Sequence, residues 1–187
     1  MLEQESQNLK LTVSSGSATP LEAVFTSIVP DTNWNYFAIT MVSSSSGLTT
    51  KAYRNGQLFG QNTAALNIPH ILPTTDSLNM RIGVRHSDVR PFSGSMDEFR
   101  FWKTARTPEQ IFNYWFTPVG GGTNKHDANV ALSCYFKFNE GVTGNPSLDE
   151  KVLDYSGRIN NGYMTGSSFS YSSAYRNTGS AIREKLG

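Results

Sequence analysis

Apolar and polar residues alternate at period 2 along most of this chain, the signature of half-buried strands. The sharpest unit runs from Ser93 to Trp115. Ser93-Gly94-Ser95 is a small-residue turn. From Met96 to Trp102, Asp97, Phe99 and Phe101 fall on one face, and Met96, Glu98, Arg100 and Trp102 on the other. That alternation predicts an aromatic-rich strand. A helix start follows, with Thr107 as N-cap, Pro108 at the first helical position and Gln110 three residues after the cap. This is capping-box spacing, with proline where its missing N–H does no harm. The unit therefore reads as strand, short link and one short helix near 107–115.

The rest of the chain is read the same way. Met1 to Gln7 is a polar lead-in expected to fray. Leu9, Leu11 and Val13 alternate with polar residues in a first strand. In a second, Leu21 to Val29, the residues Leu21, Ala23, Phe25 and Ser27 share a face. Pro30 to Asn33 is a turn cluster. Trp34 to Val42 predicts a strong strand and Ser43 to Gly47 a polar loop. Leu48 to Arg54 then meets Asn55-Gly56, the best short-range hairpin signal available, because both residues tolerate positive φ. Asn62 to Asn79 reads as loop, Asn79 to Val84 as strand and Arg85 to Pro91 as a charged loop. After the helix, Thr117 to Thr123 has linker composition. Ala131 to Phe138 alternates cleanly as a strand. The turns Asp154-Tyr155-Ser156-Gly157 and Asn160-Asn161-Gly162 follow, with short strands expected at Tyr163 to Thr165 and Phe169 to Tyr171. Eight to ten short strands and one short helix, with turn signals every eight to twelve residues, predict an all-β protein: a two-sheet antiparallel sandwich.

Composition narrows the function classes. A chain of 187 residues is one domain or little more. Lys+Arg 16 against Asp+Glu 15 gives net charge +1, so no basic excess exists to grip phosphates and nucleic acid is not the expected partner. With 37% hydrophobic and 12% aromatic residues the chain can fill a core. The charged fraction of 17% is below the usual ~25%. Ser, Thr, Asn and Gly make up the polarity, as on extracellular and viral β-domains. The lone Cys134 cannot form an internal disulfide and reads as a small buried hydrophobe. Asn145-Pro146-Ser147 fails as a glycosylation acceptor because of its proline. No apolar run approaches the ~18–20 residues of a membrane span, so membrane insertion is not expected. No secretion signal is visible. The chain is expected at an extracellular, cell-surface or virion-surface location, as a piece of a longer exported protein or on a virus particle.

The residues carry a family likeness. Gly94-Ser95-Met96-Asp97-Glu98-Phe99-Arg100-Phe101-Trp102, followed by Ala105-Arg106-Thr107-Pro108-Glu109-Gln110-Ile111, resembles the closing motif of laminin-G-like domains. These are concanavalin A-like jelly rolls of the lectin/glucanase type, related to pentraxins. Trp34 to Thr40 resembles that family's central strand, and Tyr53-Arg54-Asn55-Gly56 its hairpin. A second likeness covers Leu132 to Gly141, then Asp154 to Gly157 and Asn160 to Gly162, and matches the opening of the same domain. The order is thus inverted. Residues 8–118 carry the later part of the pattern, 119–129 a linker and 130–175 the opening strands. Either the back segment completes the sandwich, as a circular permutation would, or it begins a second domain. An open sandwich exposes strand edges, which favours completion.

Candidate sites follow. Asp97 reads as an ion-pair or capping carboxylate, or as a calcium ligand, since calcium takes oxygen donors and many domains of the resembled family bind it. Asp154 is a second metal candidate beside its role as a turn-forming residue. No Asp-x-Asp-x-Asp run exists, so distant loops would have to assemble any calcium site. Trp102, with Arg100 on its side of the strand, reads as a platform for a sugar ring or as core. Trp34 and Trp115 read as structural, Trp115 packing with Ile111. Catalysis has little support. Glycosidases need paired carboxylates, but Asp97 and Glu98 are adjacent and point to opposite faces, and Asp149 and Glu150 are adjacent in a loop. His70, His86 and His126 lie in separate loops without metal spacing. Cys134 has no marked base beside it.

The first reading is therefore a non-catalytic lectin-like binding or adhesion module for glycans or surface proteins, as a homo-oligomer or part of a larger assembly. A structural decoration or spacer domain of a viral or cell-surface assembly is the alternative, and a glycoside hydrolase the last. The choice leans on likeness, since a fold alone does not fix function.

Overall fold

Asn55-Gly56 makes the turn its sequence predicts. Asn55 has φ 50° and Gly56 φ 83°, both in the left-handed region that a two-residue hairpin turn demands. The turn joins β5 (Gly47–Arg54) to β6 (Gln57–Ala64), antiparallel from Arg54↔Gln57 to Leu48↔Ala64. At its other end β5 turns back to β4 (Phe37–Ser44) through Ser45 and Ser46 alone. The loop expected over Ser43 to Gly47 is thus two residues long. Gly47 closes it at φ 118°, with the site of a Cβ only 2.1 Å from the Ala64 carbonyl oxygen. Both facts restrict this position to glycine.

The computed structural model describes residues 2–5, 8–13, 21–26, 33–65, 80, 82, 95–119, 130–138 and 151–163. The remaining strands are β1 (Leu2–Glu5), β2 (Asn8–Val13), β3 (Leu21–Phe25), β7 (Phe99–Trp102), β8 (Leu132–Phe136), β9 (Lys151–Val152) and β10 (Gly162–Tyr163). The helix α1 is Pro108–Tyr114, and Val130 and Ala131, just before β8, are helical as well. Every strand pairing among the described residues is antiparallel, so the all-β class with a short helix near 107–115 holds. Of the strand expected at Asn79 to Val84 only Met80 and Ile82 are described, neither of them in a strand; the strand expected at Phe169 to Tyr171, the linker centre, the histidines and the Asp149-Glu150 pair lie outside the described residues.

The chain divides into two units, Met1–Asn33 with Phe37–Ser95, and Trp34–Tyr36 with Met96–Gly187. The first contains two three-stranded sheets, β1-β2-β3 and β4-β5-β6. Alternation explains how they meet. Leu9 and Leu11 of β2 sit opposite Phe25 and Ala23 of β3, and all four are buried, while Glu22 and Val24 are exposed. They form one core with Ala52 of β5, against which Ile39 and Phe59 also pack. Phe25 and Phe59 meet edge to face at 6.0 Å. Phe59 is the extra residue of a bulge, since Ala52 pairs with Gly60 and Tyr53 with Leu58. The extra residue re-aims the side chains beyond it.

Two expectations change here. The lead-in before Leu9 is the strand β1, paired from Leu2↔Leu11 to Glu5↔Asn8. Backbone groups of any sequence can make that ladder, so its polar composition did not betray it. The strand expected from Trp34 begins only at Phe37. Its neighbour β5 ends at Arg54, where the chain turns, so residues before Phe37 have no ladder partner on that side.

In the second unit β7 pairs with β8 from Phe99↔Phe136 to Trp102↔Leu132. The front segment thus lies beside the back segment. β7 is shorter than the expected Met96 to Trp102. Glu98 and Phe138 both take positive φ, 54° and 52°, and end the ladder on both strands at once. Asp97 therefore lies outside the strand it was expected to share with Phe99 and Phe101. The helix is capped as its sequence predicts: the Gln110 N–H donates to Thr107 Oγ1 at 3.2 Å, and the Thr107 N–H to Gln110 Oε1 at 3.0 Å. Leu132, Tyr135 and Val119 form this unit's buried cluster, with Trp102 packed against it.

Cys134 is 4% exposed in β8. Burial, with the nearby Asp154 carboxylate, pushes its thiol up to about 11, and a backbone hydrogen bond with Phe101 only partly opposes this. The thiolate is the reactive form. Thiol-reagent labelling at pH 8 is therefore expected to stay near background in the native protein and to reach one thiol per chain in denaturant. Rapid native labelling would contradict this placement.

Candidate functional site

β7 alternates, its Arg100 and Trp102 side faces inward, and Glu98, just before the strand, lies with them. Arg100 and Glu98 side chains are only 5% and 2% exposed. Arg100 Nη2 donates to Glu98 Oε2 at 2.6 Å and to the Thr117 carbonyl at 2.8 Å. The Tyr135 hydroxyl of β8 donates to the same Glu98 Oε2, and the Arg100 guanidinium lies 5.3 Å from the Tyr135 ring centre. Glu98 Oε1 and Arg100 Nε are buried without a hydrogen-bond partner. A buried charge is tolerated only when paired, so this ion pair ties β7, β8 and the segment after α1 together. Burial drives the Tyr135 hydroxyl up, with Glu98 adding and Arg100 opposing. Burial alone would lower the Arg100 value, but Tyr36, Tyr135 and Glu98 outweigh it and hold the guanidinium above its ordinary value.

Beside this pair lies a shallow, open recess lined by Tyr36, Arg100, Trp102, Arg106, Gln110, Ile111, Tyr114 and Trp115. All belong to the second unit. β7 supplies Arg100 and Trp102, the link after it Arg106, α1 with its C-cap Gln110, Ile111, Tyr114 and Trp115, and the residue before β4 is Tyr36. Tyr36 lies near Trp115, the rings tilted by 37° with centres 6.2 Å apart. Arg106 lies 4.3 Å from the Trp102 ring centre, within the range of a cation–π contact. Burial raises the Tyr36 hydroxyl above its ordinary value, while Arg100 and Arg106 pull against it. The phenol is therefore a neutral donor at physiological pH.

The two residues that sequence singled out for ligand binding, Trp102 and Arg100, thus stand side by side in one lining. Sequence reasoning missed Tyr36, Arg106, Gln110 and Tyr114, and read Trp115 only as packing. The available signal was the aromatic pair Tyr114-Trp115 at the end of a capped helix.

The metal candidates lie apart from the recess lining. Asp97 Oδ1 accepts the Glu98 N–H at 2.8 Å. Asp154 is surrounded by donors. Its Oδ1 accepts from the Tyr135 and Ser156 N–H groups at 2.9 Å each. Its Oδ2 accepts from the Asn160 N–H at 2.9 Å and the Ser156 hydroxyl at 2.8 Å. Among the described residues no three His, Cys, Asp or Glu side chains converge, and the Asp154 carboxylate organises its turn. Burial raises the Asp154 carboxyl, but the N–H groups of Ser156, Asn160 and Tyr135 outweigh it and hold it below the ordinary carboxylate value. A depressed native value contributes stability above the unfolded pKa of ~3.9, lost as pH falls through the native value. Between pH 6 and pH 3 the wild type is expected to lose more unfolding free energy than Asp154→Asn does. Equal losses would contradict it.

Residues 1–112 match the family model of the concanavalin A-like lectin/glucanases superfamily, of laminin G type. The chain belongs to the concanavalin A-like lectin/glucanase superfamily. The superfamily match spans the first unit, Tyr36 and the recess residues as far as Ile111. Among solved structures, a candidate carbohydrate-binding protein from Bacteroides ovatus aligns with a TM-score of 0.55 at 21% identity, over 86% of this chain and 43% of that one. The chain thus spans less than half of that structure, and the likeness carries the superfamily's β-sandwich fold. No curated protein matches. Among the described residues no helix is long and apolar enough to cross a membrane.

Proposed function

We propose that this protein is a non-catalytic lectin-like module that holds saccharides in the recess between β7 and α1. The carrying observation is the lining itself, which combines aromatic rings (Tyr36, Trp102, Tyr114, Trp115) with hydrogen-bonding groups (Arg100, Arg106, Gln110) and includes no carboxylate. Rings offer apolar faces to pyranose C–H groups, and fixed polar groups give orientation. Hydrolysis of a glycosidic bond needs two carboxylates flanking it. Glu98 instead spends one oxygen on Arg100 and Tyr135 and is 5% exposed. The carbohydrate-binding description of the Bacteroides ovatus protein supports the same reading. The β7–β8 pairing supports the view that the back segment supplies strands to the front one. The low charged fraction supports a place outside the cell or on a particle surface.

A glycan array followed by calorimetric titration tests this, run with and without chelator to separate a calcium-ordered site from one made of side chains alone. Tyr114→Ala is expected to weaken binding at least about tenfold, the order of one ring contact of ~1.4 kcal/mol, with the circular dichroism spectrum unchanged. An unchanged affinity, or release of reducing ends from the bound glycan, would overturn the proposal.

A further inference from the structure

β7 takes its ladder partner from far along the chain and from beyond the residues that match the superfamily. β7 ends at Trp102, the match stops at residue 112, and β8 begins at Leu132. The segment around β8 is tied to itself. The Tyr155 N–H donates to the Tyr135 carbonyl, and the Asp154 carboxylate accepts the Tyr135 N–H. The Ser156 hydroxyl and Asn160 Nδ2 both donate to the Ser133 carbonyl, and Arg158 Nε donates to the Leu132 carbonyl. None of these bonds involves β7, so they keep β8 and residues 151–163 together as one block wherever β8 docks. Toward the front segment that block offers the β7 ladder, the Tyr135 hydroxyl on Glu98 and the Ala131 carbonyl on the Lys103 N–H. Residues 120–129 join Val119 to Val130 and begin with Gly120-Gly121-Gly122. Fully extended, a stretch of that length reaches about 35 Å.

We infer that the β7–β8 seam is exchangeable between copies of this chain: the β8 block of one molecule lies on β7 of a second, and the second returns its own. The partner is thus a second copy, and it contributes Tyr135 to the Glu98–Arg100 pair of the first. Every contact of the exchanged seam is one that a single chain already makes, so no new complementary surface is needed. A β7 without β8 has an open ladder edge, which recruits a strand, and a buried Glu98 that lacks the Tyr135 hydroxyl. Whichever β8 arrives first closes it.

The chain's single cysteine makes the test direct. Cys134 pairs with Phe101, and facing residues of an antiparallel pair lie about 4.5–5.5 Å apart at Cα, within disulfide range. One full chain carries Phe101→Cys with Cys134→Ser and a size tag; the other is the wild type, with Cys134 alone. Neither can close a disulfide within itself. The two are unfolded together in urea, refolded at about 10 µM or about 300 µM, both below the ~1 mM effective concentration of a tethered strand, then oxidised and run on a non-reducing gel. A disulfide between the two chains is expected, increasing at least about ten-fold between the two concentrations, as competition with a tethered strand requires. It is expected to be absent when the chains are folded separately before mixing. Wild type refolded alone at the higher concentration is expected to give a dimer by light scattering that survives dilution and separates only on unfolding, and this measurement decides if the variant does not fold. A wild type that stays monomeric, a dimer that falls apart on dilution, or a mixed disulfide equally frequent in chains folded apart overturns the inference. So does a dimer without the mixed disulfide when the variant folds, because the copies then meet through another surface.

Discussion

Replacing Arg100 by methionine is expected to cost about 3–5 kcal/mol of unfolding free energy, the usual penalty for stranding a buried charge. Glu98 would keep only the Tyr135 hydroxyl, at 5% exposure and on a backbone already at φ 54°. Glu98→Gln strands Arg100 in turn and should cost a similar amount. The double variant Glu98→Gln/Arg100→Met is expected to cost clearly less than the sum of the two, because replacing a whole buried pair by uncharged groups is often near neutral. Urea unfolding followed by tryptophan fluorescence measures all four chains. Single variants within about 0.5 kcal/mol of wild type, or strict additivity, would show that the pair is not the clamp described.

The second large effect belongs to the first unit. Phe25→Ala is expected to cost about 3–5 kcal/mol, as for a buried phenylalanine deleted from a core. Its ring is 3% exposed, meets Phe59 and lies across the backbone of Gly60. A Cβ at Gly60 would fall 2.5 Å from Phe25 Cδ1 and 3.3 Å from Cγ. Gly60→Ala must therefore push the base of the ring, and overpacking of this kind costs about 1–3 kcal/mol. The two are coupled: in a Phe25→Leu background the alanine meets a smaller, more mobile neighbour. The Gly60→Ala penalty should fall there by at least about 1 kcal/mol, within the range found for residues in contact. A penalty that is the same in both backgrounds would mean that the ring does not rest on residue 60.

How much of this was legible depends on how local each feature is. Asn55-Gly56 and the Thr107-Pro108-Gln110 cap are complete within a few residues, so their chemistry could be read directly. The buried face of β3 followed from alternation alone. The start of β4 did not, because Trp34 to Tyr36 continue the pattern while the partner strand has already turned away. Nor did the end of β7, since a positive φ at a glutamate leaves no mark on a hydrophobic pattern. The recess was half visible. Arg100 and Trp102 are on one strand face, but Tyr36 and Tyr114 reach the same space from far along the chain, and no spacing rule connects them. Asp154 was legible as a turn former because its acceptors serve N–H groups at its own turn, and its hold on β8 through the Tyr135 N–H was not.

The β7–β8 pairing has a consequence for biosynthesis. β4, β5 and β6 are joined by two-residue turns and can zip together as they leave the ribosome. β7 has to wait until Leu132 to Phe136 have been translated, a delay that long-range pairing imposes on any nascent chain. Throughout that interval Phe99, Phe101 and Trp102 face solvent without the β8 partner for their hydrogen-bonding edge. A chaperone that shields aromatic segments would find its substrate there.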